Sequence, residues 1–342
     1  MVTGKMILLR ALVATSLSPW LLNCTLKMPA SMVDLYACKS GAIASDLLNM
    51  VCIPGNSTGF LMGSNAVTSP APAIPEHTVA SITGFAMAKY EVQYGDWLSV
   101  KTWATANGYT FANPGLQGSD GARTDQHPVT TVNWRDAIVW CNAASEKQGL
   151  PPVYFTDAAM TVPLKTSTAS GSVNSAAGSE DNPYVNWSST GYRLPTEAEW
   201  EYVARYIDGT TFMRGDAPSG WQDSNANGTV DTAPDELSPV AWNSLNSGST
   251  THPVGGLQPN ALGIYDLNGN VWELTWDWIG VYTTASPYTD ADTRGSATGT
   301  GRVGRGGCFS NGATQMKTSF RGGGSPPGSA VNNQGFRPVR WP

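Results

Sequence analysis

The sequence predicts an α+β fold, irregular and loop-rich, in which short strands accompany two main helices. Three observations predict it. Glycine numbers 37 and proline 23 in a chain of 342 residues, while charged residues make up only 13%; this mix suits a loop-rich globular protein more than a helical bundle. Apolar residues reach 41%, with 13 tryptophans, enough for a real core in one large domain or two smaller ones. Helical spacing with end signals is sustained in two stretches, and the strand-like runs elsewhere are short. The net charge is −6 and no Lys/Arg block occurs. Phosphate-backbone binding needs clustered cations, which argues against a nucleic-acid partner.

At the N-terminus, Lys5 and Arg10 precede an apolar run over residues 11–22, broken by Ser and Pro19. The run is shorter than the roughly 20 residues of a membrane span. Basic start, short apolar stretch and polar exit give the pattern of a signal peptide over residues 1–23. Leu21-Leu22-Asn23-Cys24 is similar to a loose bacterial lipobox, with Asn23 where a small residue is usual; Cys24 is then the lipidation site. The expectation is an exported bacterial cell-surface or outer-membrane lipoprotein that meets the membrane through its lipid anchor only. A frayed N-terminal helix or a misplaced start codon is the alternative. Of the remaining cysteines, Cys38 and Cys52 could form a disulfide in an exported protein. No CxxC pair supports a thiolate zinc site, and Cys141 falls on the inner face of a predicted helix.

Residues 24–49 read as a tether or N-terminal extension, and residues 50–342 as the domain. Residues 51–55 and 59–64 read as two short strands joined by a turn. Residues 77–92 alternate in part, as a further strand does. A helix follows over 94–106, stopped by Asn107-Gly108. A second runs over 134–147. Asn133 is its N-cap, because a side-chain oxygen there can accept an orphan backbone N–H, and Gly149 ends it. Residues 156–189 are Ser/Thr/Asn/Gly-rich and read as a long hairpin or surface insertion. A short third helix begins at Thr196, which forms a capping box with Glu199. Glu197, Glu199 and Glu201 look like a carboxylate site, but helical spacing spreads them around the axis, so a structural role is the better account. Beyond Phe212 the chain reads as turns and short strands, with a polar loop over 223–231.

Several motifs in register carry a resemblance. Residues 191–202 read Gly-Tyr-Arg-Leu-Pro-Thr-Glu-Ala-Glu-Trp-Glu-Tyr, and residues 260–273 read Asn-Ala-Leu-Gly-Ile-Tyr-Asp-Leu-Asn-Gly-Asn-Val-Trp-Glu. Arg302-Val303-Gly304-Arg305-Gly306-Gly307 and Gly335-Phe336-Arg337 follow, with Met62-Gly63-Ser64, Lys89-Tyr90-Glu91-Val92 and His127-Pro128-Val129 upstream. Over about residues 50–341 the chain resembles the formylglycine-generating-enzyme (sulfatase-modifying factor) family. The resemblance implies a C-type-lectin-like fold. It also implies where a catalytic centre would lie: the family's oxidase uses a copper-binding cysteine pair after the Arg-Gly-Gly motif, and thiolates must be placed as a pair for that chemistry. Here Asn311 and Met316 stand at those positions, and Cys308 is out of register. The sulfoxide-synthase branch needs a histidine cluster, but His77, His127 and His252 all sit in framework motifs. The expectation is a protein that is not an enzyme and requires no cofactor. In this family Asn270 and Glu273 often lie at a calcium site, and oxygen donors suit that ion; the other reading is a capped turn with Trp272 in the core.

The stretch after Arg305 is mostly Ser, Asn, Gly, Thr, Ala and Pro between framework ends. It resembles the variable region of diversity-generating retroelement proteins, where adenine mutagenesis of Asn-rich codons yields a restricted residue set. Ser310, Asn311, Gly312, Thr314, Gly322, Gly323, Gly324, Ser325, Pro327, Gly328, Ala330, Val331, Asn332 and Asn333 belong to that set. Gln315, Met316, Lys317 and Gln334 do not, and with Arg321 would be fixed framework. Small polar residues adapt their hydrogen bonds as in antibody paratopes, while Phe309 and Phe320 could act as rigid anchors. Trp276 and Trp278 are expected to pack beneath. What the resemblance implies is a ligand-binding surface protein whose partner is a protein or glycan on another cell or host surface. An ordinary flexible loop has the same composition. Two alternatives stand beside this one: a structural or adaptor lipoprotein, and a formylglycine-generating-type oxidase.

Overall fold

The computed structural model describes residues 46–65, 75–119, 123–169, 171–222, 237–281 and 294–342. The expected signal peptide, Cys24, Cys38 and the polar loop over 223–231 lie outside the described residues. The architecture is the irregular α+β one expected. Its helices are α1 (Tyr94–Ala106), α2 (Trp134–Lys147) and α3 (Glu197–Arg205).

Local capping explains two of them. Asn133 accepts the Asp136 N–H at 2.8 Å and Asp136 accepts the Asn133 N–H at 3.1 Å. Thr196 and Glu199 do the same for α3, so each box satisfies orphan donors of the first turn. The long helix α2 has no polar face over Trp134–Ser145; all of these residues are buried. Its polar members are therefore paired. Arg135 grips Asp181 through two nitrogens at 2.6 and 2.8 Å. Asn142 closes the turn before β7 (Tyr154–Phe155) by accepting the Val153 and Tyr154 N–H groups. The strand β7 pairs with β8 (Tyr184–Val185), which makes the insertion a hairpin closed at its base.

One expectation changes. Strands β1 (Met50–Ile53) and β2 (Phe60–Met62) are present and joined by a turn as expected, in different sheets. The Asn56 carboxamide accepts the Thr58 and Gly59 N–H groups, and the turn sends the chain to another sheet. The single strand expected over 77–92 is two, β3 (His77–Val79) and β4 (Phe85–Ala88): β3 joins β2, and β4 lies between β1 and the C-terminal β12 (Val339–Arg340). A second three-stranded sheet holds β9 (Trp272–Trp278) between β10 (Arg302–Arg305) and β11 (Gln334–Phe336). Minor strands β5 (Leu116–Gln117) and β6 (Val129–Thr130) pair on the side of α1. One core cluster lies around α1 and α2, where Trp97, Trp140 and Phe336 meet; another lies around Trp200 and Tyr202 of α3. Cys52 is disulfide-bonded, while Cys141 and Cys308 are buried free thiols.

Beneath β9, carboxylates gather around one arginine. Arg337 makes a close ion pair with Glu273 at 2.5 Å. Glu91 accepts from Asn270 at 2.6 Å and from the Val271 N–H at 3.1 Å. Asp266 accepts the Gly255 N–H at 2.6 Å. Burial pushes the Asp266 carboxyl up to about 6 and holds Glu91 well above the usual carboxylate range. Burial likewise brings Asp96, in the first turn of α1, to about 6. The folded state thus keeps protons that the unfolded chain releases near pH 4. Their stabilisation is full below that pH and is lost as pH rises through about 6. The melting temperature should fall between about pH 4 and pH 6, and Asp266→Asn with Asp96→Asn should flatten that slope. Thermal melts across this range check it; a wild-type slope unchanged in the double variant contradicts it.

Candidate functional site

Because β9 is central, the chain between β10 and β11 crosses from one edge of the sheet to the other, and residues 306–333 form that crossing. Much of its fastening is main-chain hydrogen bonding, which does not depend on side-chain identity. Arg302 and Ser325 exchange N–H groups at 2.8 and 3.0 Å, and the Gly322 N–H reaches Gly304 at 2.8 Å. Carbonyls of Pro327, Val331 and Asn333 accept from Trp134, Thr131 and Trp272 at 2.9–3.0 Å. Thr318 and Ser319 donate to Ala217 and Gly215.

The side chains that also fasten it are buried. Arg321 is bidentate to Glu197 at 2.7 and 2.8 Å, and Arg305 holds Glu201 at 2.5 Å and the Thr318 carbonyl at 2.7 Å. Glu197 and Glu201 are therefore not spread around the axis: four residues apart, they share the face of α3 that addresses Arg305 and Arg321. Glu199 is the one set apart, paired with Arg193 at 2.6 Å. Met316, Lys317, Arg321 and Gln334, expected as framework, are all buried, and Gln315 is half-buried.

The residues expected to face a ligand divide. Ser310, Thr314, Gly323, Val331 and Asn332 are exposed. Asn311, Gly312, Phe320, Gly322, Gly324, Ser325, Gly328, Ala330 and Asn333 are half-buried. Phe309 and Pro327 are buried, so Phe309 is an internal support and not a surface anchor: its backbone bridges Asn270 and Ser247. Gly324 is architectural. Its φ is +83° and an added Cβ would lie 2.8 Å from the Ile279 side chain, whereas a Cβ on Gly323 meets nothing within 4 Å.

A concavity of about 240 Å³ opens within the segment, lined by Trp272, Gly304, Gly322–Gly324, Ser325 and Asn333 among others. Trp272 is half-buried, not a core residue, and forms the aromatic floor with the Phe320 ring 5.9 Å away. Trp276 packs elsewhere, against Trp134, Tyr154 and Trp187. Sequence reasoning missed Trp272 and Gly304 as site residues; the signal was a tryptophan whose strand neighbour and covering loop both present glycine.

At the positions of the expected cysteine pair, Asn311 caps a tight turn, accepting the Cys308 N–H at 3.0 Å and thiol at 3.1 Å. Met316 packs against Leu237 and Ala241. His77, His127 and His252 are engaged with Pro75, Thr251 and the Ser247 carbonyl respectively. Among the described residues no group of three or more His, Cys, Asp or Glu side chains is arranged to hold a metal. The candidate calcium donors have protein partners: Glu273 takes Arg337 and the Trp200 indole N–H at 2.8 Å, and Asn270 bridges Glu91 and His252.

A model of the sulfatase-modifying factor enzyme 1-like domain matches residues 40–342. The formylglycine-generating enzyme of Thermomonospora curvata is 29% identical over 244 residues, 69% of this chain and 62% of that protein. The chaperone protein LppX of Paenibacillus barcinonensis is 32% identical over 215 residues, 58% of this chain and 64% of that protein. The chain thus spans less than two thirds of these relatives' length. Among solved structures, Treponema denticola variable protein 1 superposes with a TM-score of 0.64 at 29% identity, over 86% of this chain and 95% of that one.

Replacing Ser310, Thr314, Gly323, Val331 and Asn332 together with Tyr, Asp or Arg should leave the melt nearly unchanged, since exposed substitutions stay within about ±0.5 kcal/mol each. Trp200→Ala should cost about 3–5 kcal/mol, because its ring is fully buried. Urea titration of the two variants checks the contrast; a five-site variant as unstable as Trp200→Ala contradicts it.

Proposed function

The chain belongs to the sulfatase-modifying factor enzyme 1-like family, and from that premise we propose that it is a non-catalytic surface protein that binds a ligand through its C-terminal segment. The segment is of the kind a diversity-generating retroelement varies. The observation that carries this reading is the division of labour within residues 309–333. Main-chain hydrogen bonds and buried Arg321, Met316 and Lys317 fasten the loop, while Ser310, Thr314, Gly323, Val331 and Asn332 are exposed at the surface where a ligand would meet them. Similarity to Treponema denticola variable protein 1, over nearly all of that chain, supports the same reading. The ligand is a protein or glycan on another cell or host surface.

The protein is exported, loses residues 1–23 and is anchored by lipid at Cys24, on the bacterial cell surface or outer membrane. No cofactor is required. Asn270 and Glu273 serve as structural groups and not calcium donors, because a cation at Glu273 would meet the Arg337 guanidinium. A second reading, an adaptor lipoprotein, is favoured by the 32% identity to a protein named as a chaperone. The two separate on one point: an adaptor tolerates no change of specificity, whereas the display reading requires it.

Three experiments test the proposal. The five-site variant should shift the binding profile on an array of cell-surface proteins and glycans while staying folded; an unshifted profile refutes display. With copper and a cysteine-containing sulfatase peptide, the purified chain should leave the thiol mass unchanged, and turnover at enzyme-like rates would refute the non-catalytic assignment. Mass spectrometry of membrane-extracted protein should find diacylglyceryl at Cys24; a soluble protein with Met1 intact excludes the anchor.

A further inference from the structure

The concavity above β9 and β10 has a division of its own. Its floor, Trp272, lies outside the segment proposed to vary, and so does Gly304 of β10. Glycine at 304 and at 322 leaves the indole open: a Cβ on Gly304 would lie 3.6 Å from the six-membered ring of Trp272, and one on Gly322 3.4 Å from it. Any larger residue at either place would cover that ring. The rim carries Ser325, Val331 and Asn333, with Gly323 open to solvent. Among the described residues the Trp272 indole N–H, the Ser325 hydroxyl and the Asn333 carboxamide have no hydrogen-bond partner. Asn333 is held beside Trp272 by its own carbonyl, which accepts the Trp272 N–H at 2.9 Å. None of the lining residues is charged.

These features select a ligand chemistry. A bare aromatic face is negative at its centre and favours the weakly positive C–H bonds of a saturated ring lying flat on it. Neutral donors and acceptors around that face suit hydroxyl groups and give a carboxylate no counter-charge. The volume, about 240 Å³, lies below the roughly 300–1,000 Å³ of drug-sized sites, which fits a single ring unit. We propose that the concavity over Trp272 binds one neutral pyranose unit of a surface glycan, with the fixed indole as stacking platform and the rim residues deciding which hydroxyl pattern is accepted. This inference rests on the display reading and narrows its ligand: variation at positions 323, 325, 331 and 333 changes which sugar binds, while Trp272 and Gly304 keep the ligand a sugar.

Saturation-transfer NMR on the full chain in detergent tests it, with methyl β-D-glucopyranoside, methyl β-D-galactopyranoside, the matching methyl glucuronide, N-acetyl-tyrosinamide and N-acetyl-prolinamide as probes. A neutral glycoside should bind with its ring C–H protons most strongly saturated, and the glucuronide should bind more weakly. Trp272→Ala should weaken the neutral glycoside by about tenfold or more, as loss of one large apolar contact does. Gly304→Val should do the same by covering the indole; it retains the Trp272 residue and puts a strand-favouring residue in a strand, so loss of binding in a folded Gly304→Val variant cannot be laid to unfolding. Glycoside binding that survives both substitutions overturns the inference. Binding of an amide probe in place of the glycosides also overturns it, in favour of a protein ligand, and leaves the display reading standing. Binding of no probe overturns it too, and display is then judged by the array shift alone.

Discussion

Two carboxylates one turn apart on α3 hold the C-terminal crossing in place. Glu197 receives Arg321 and Glu201 receives Arg305, and both arginines reach onward to main-chain carbonyls, Gly280 for one and Thr318 for the other. All four side chains are buried. A buried ion pair is weak evidence of net stability, but removing one partner leaves a charge without compensation and costs about 3–5 kcal/mol. The pairs therefore act as a constraint on position. They fix where the segment begins and turns, and they do so with residues that take no part in its outward face. Asn270 adds a third attachment: its carbonyl accepts the Phe309 N–H, and its side chain is held by Glu91.

This arrangement separates what fixes the loop from what the loop presents. A contact through a backbone amide survives substitution of its own side chain, provided the new residue accepts the same φ and ψ. Gly324 is where that proviso fails, and it marks a limit on variation within an otherwise permissive stretch. Arg302 shows the same economy of position. It lies 3.7 Å from the Trp134 ring and 3.5 Å from the Trp278 ring, so α2, β9 and β10 share one cation, and its backbone then receives Ser325.

What the sequence disclosed follows the range of the interactions involved. The helices were legible because their end signals are local: Asn133 with Asp136, Thr196 with Glu199, and Asn107-Gly108 after α1. Of the residues expected as framework, Met316, Lys317, Arg321 and Gln334 are buried and Gln315 is half-buried, while Pro327 of the small-residue set is buried with them. Strand pairing was not legible, since β1 meets β4 and β4 meets β12 at the far end of the chain. Glu197 and Glu201 stand four apart in the sequence, but their shared partners are more than a hundred residues away. The exposure of Trp272 depends on what covers it, namely glycines at 304 and 322, and no local pattern around Trp272 carries that information. Phe309 misled for the converse reason: an aromatic in a polar loop reads as an anchor until the floor beneath it is known.

The central claim is that the crossing is held independently of its exposed side chains, and hydrogen exchange at individual amides measures this directly. The amides of Thr131, Trp134, Trp272 and Gly322 donate into or within the crossing. Their exchange can be compared between the natural chain and the chain with Ser310, Thr314, Gly323, Val331 and Asn332 replaced. Protection at these four amides that stays equal in the two chains is the expected result. Loss of protection at Trp134 and Trp272 in the substituted chain, with the α2 interior still protected, would contradict the claim and return the exposed residues to the fold.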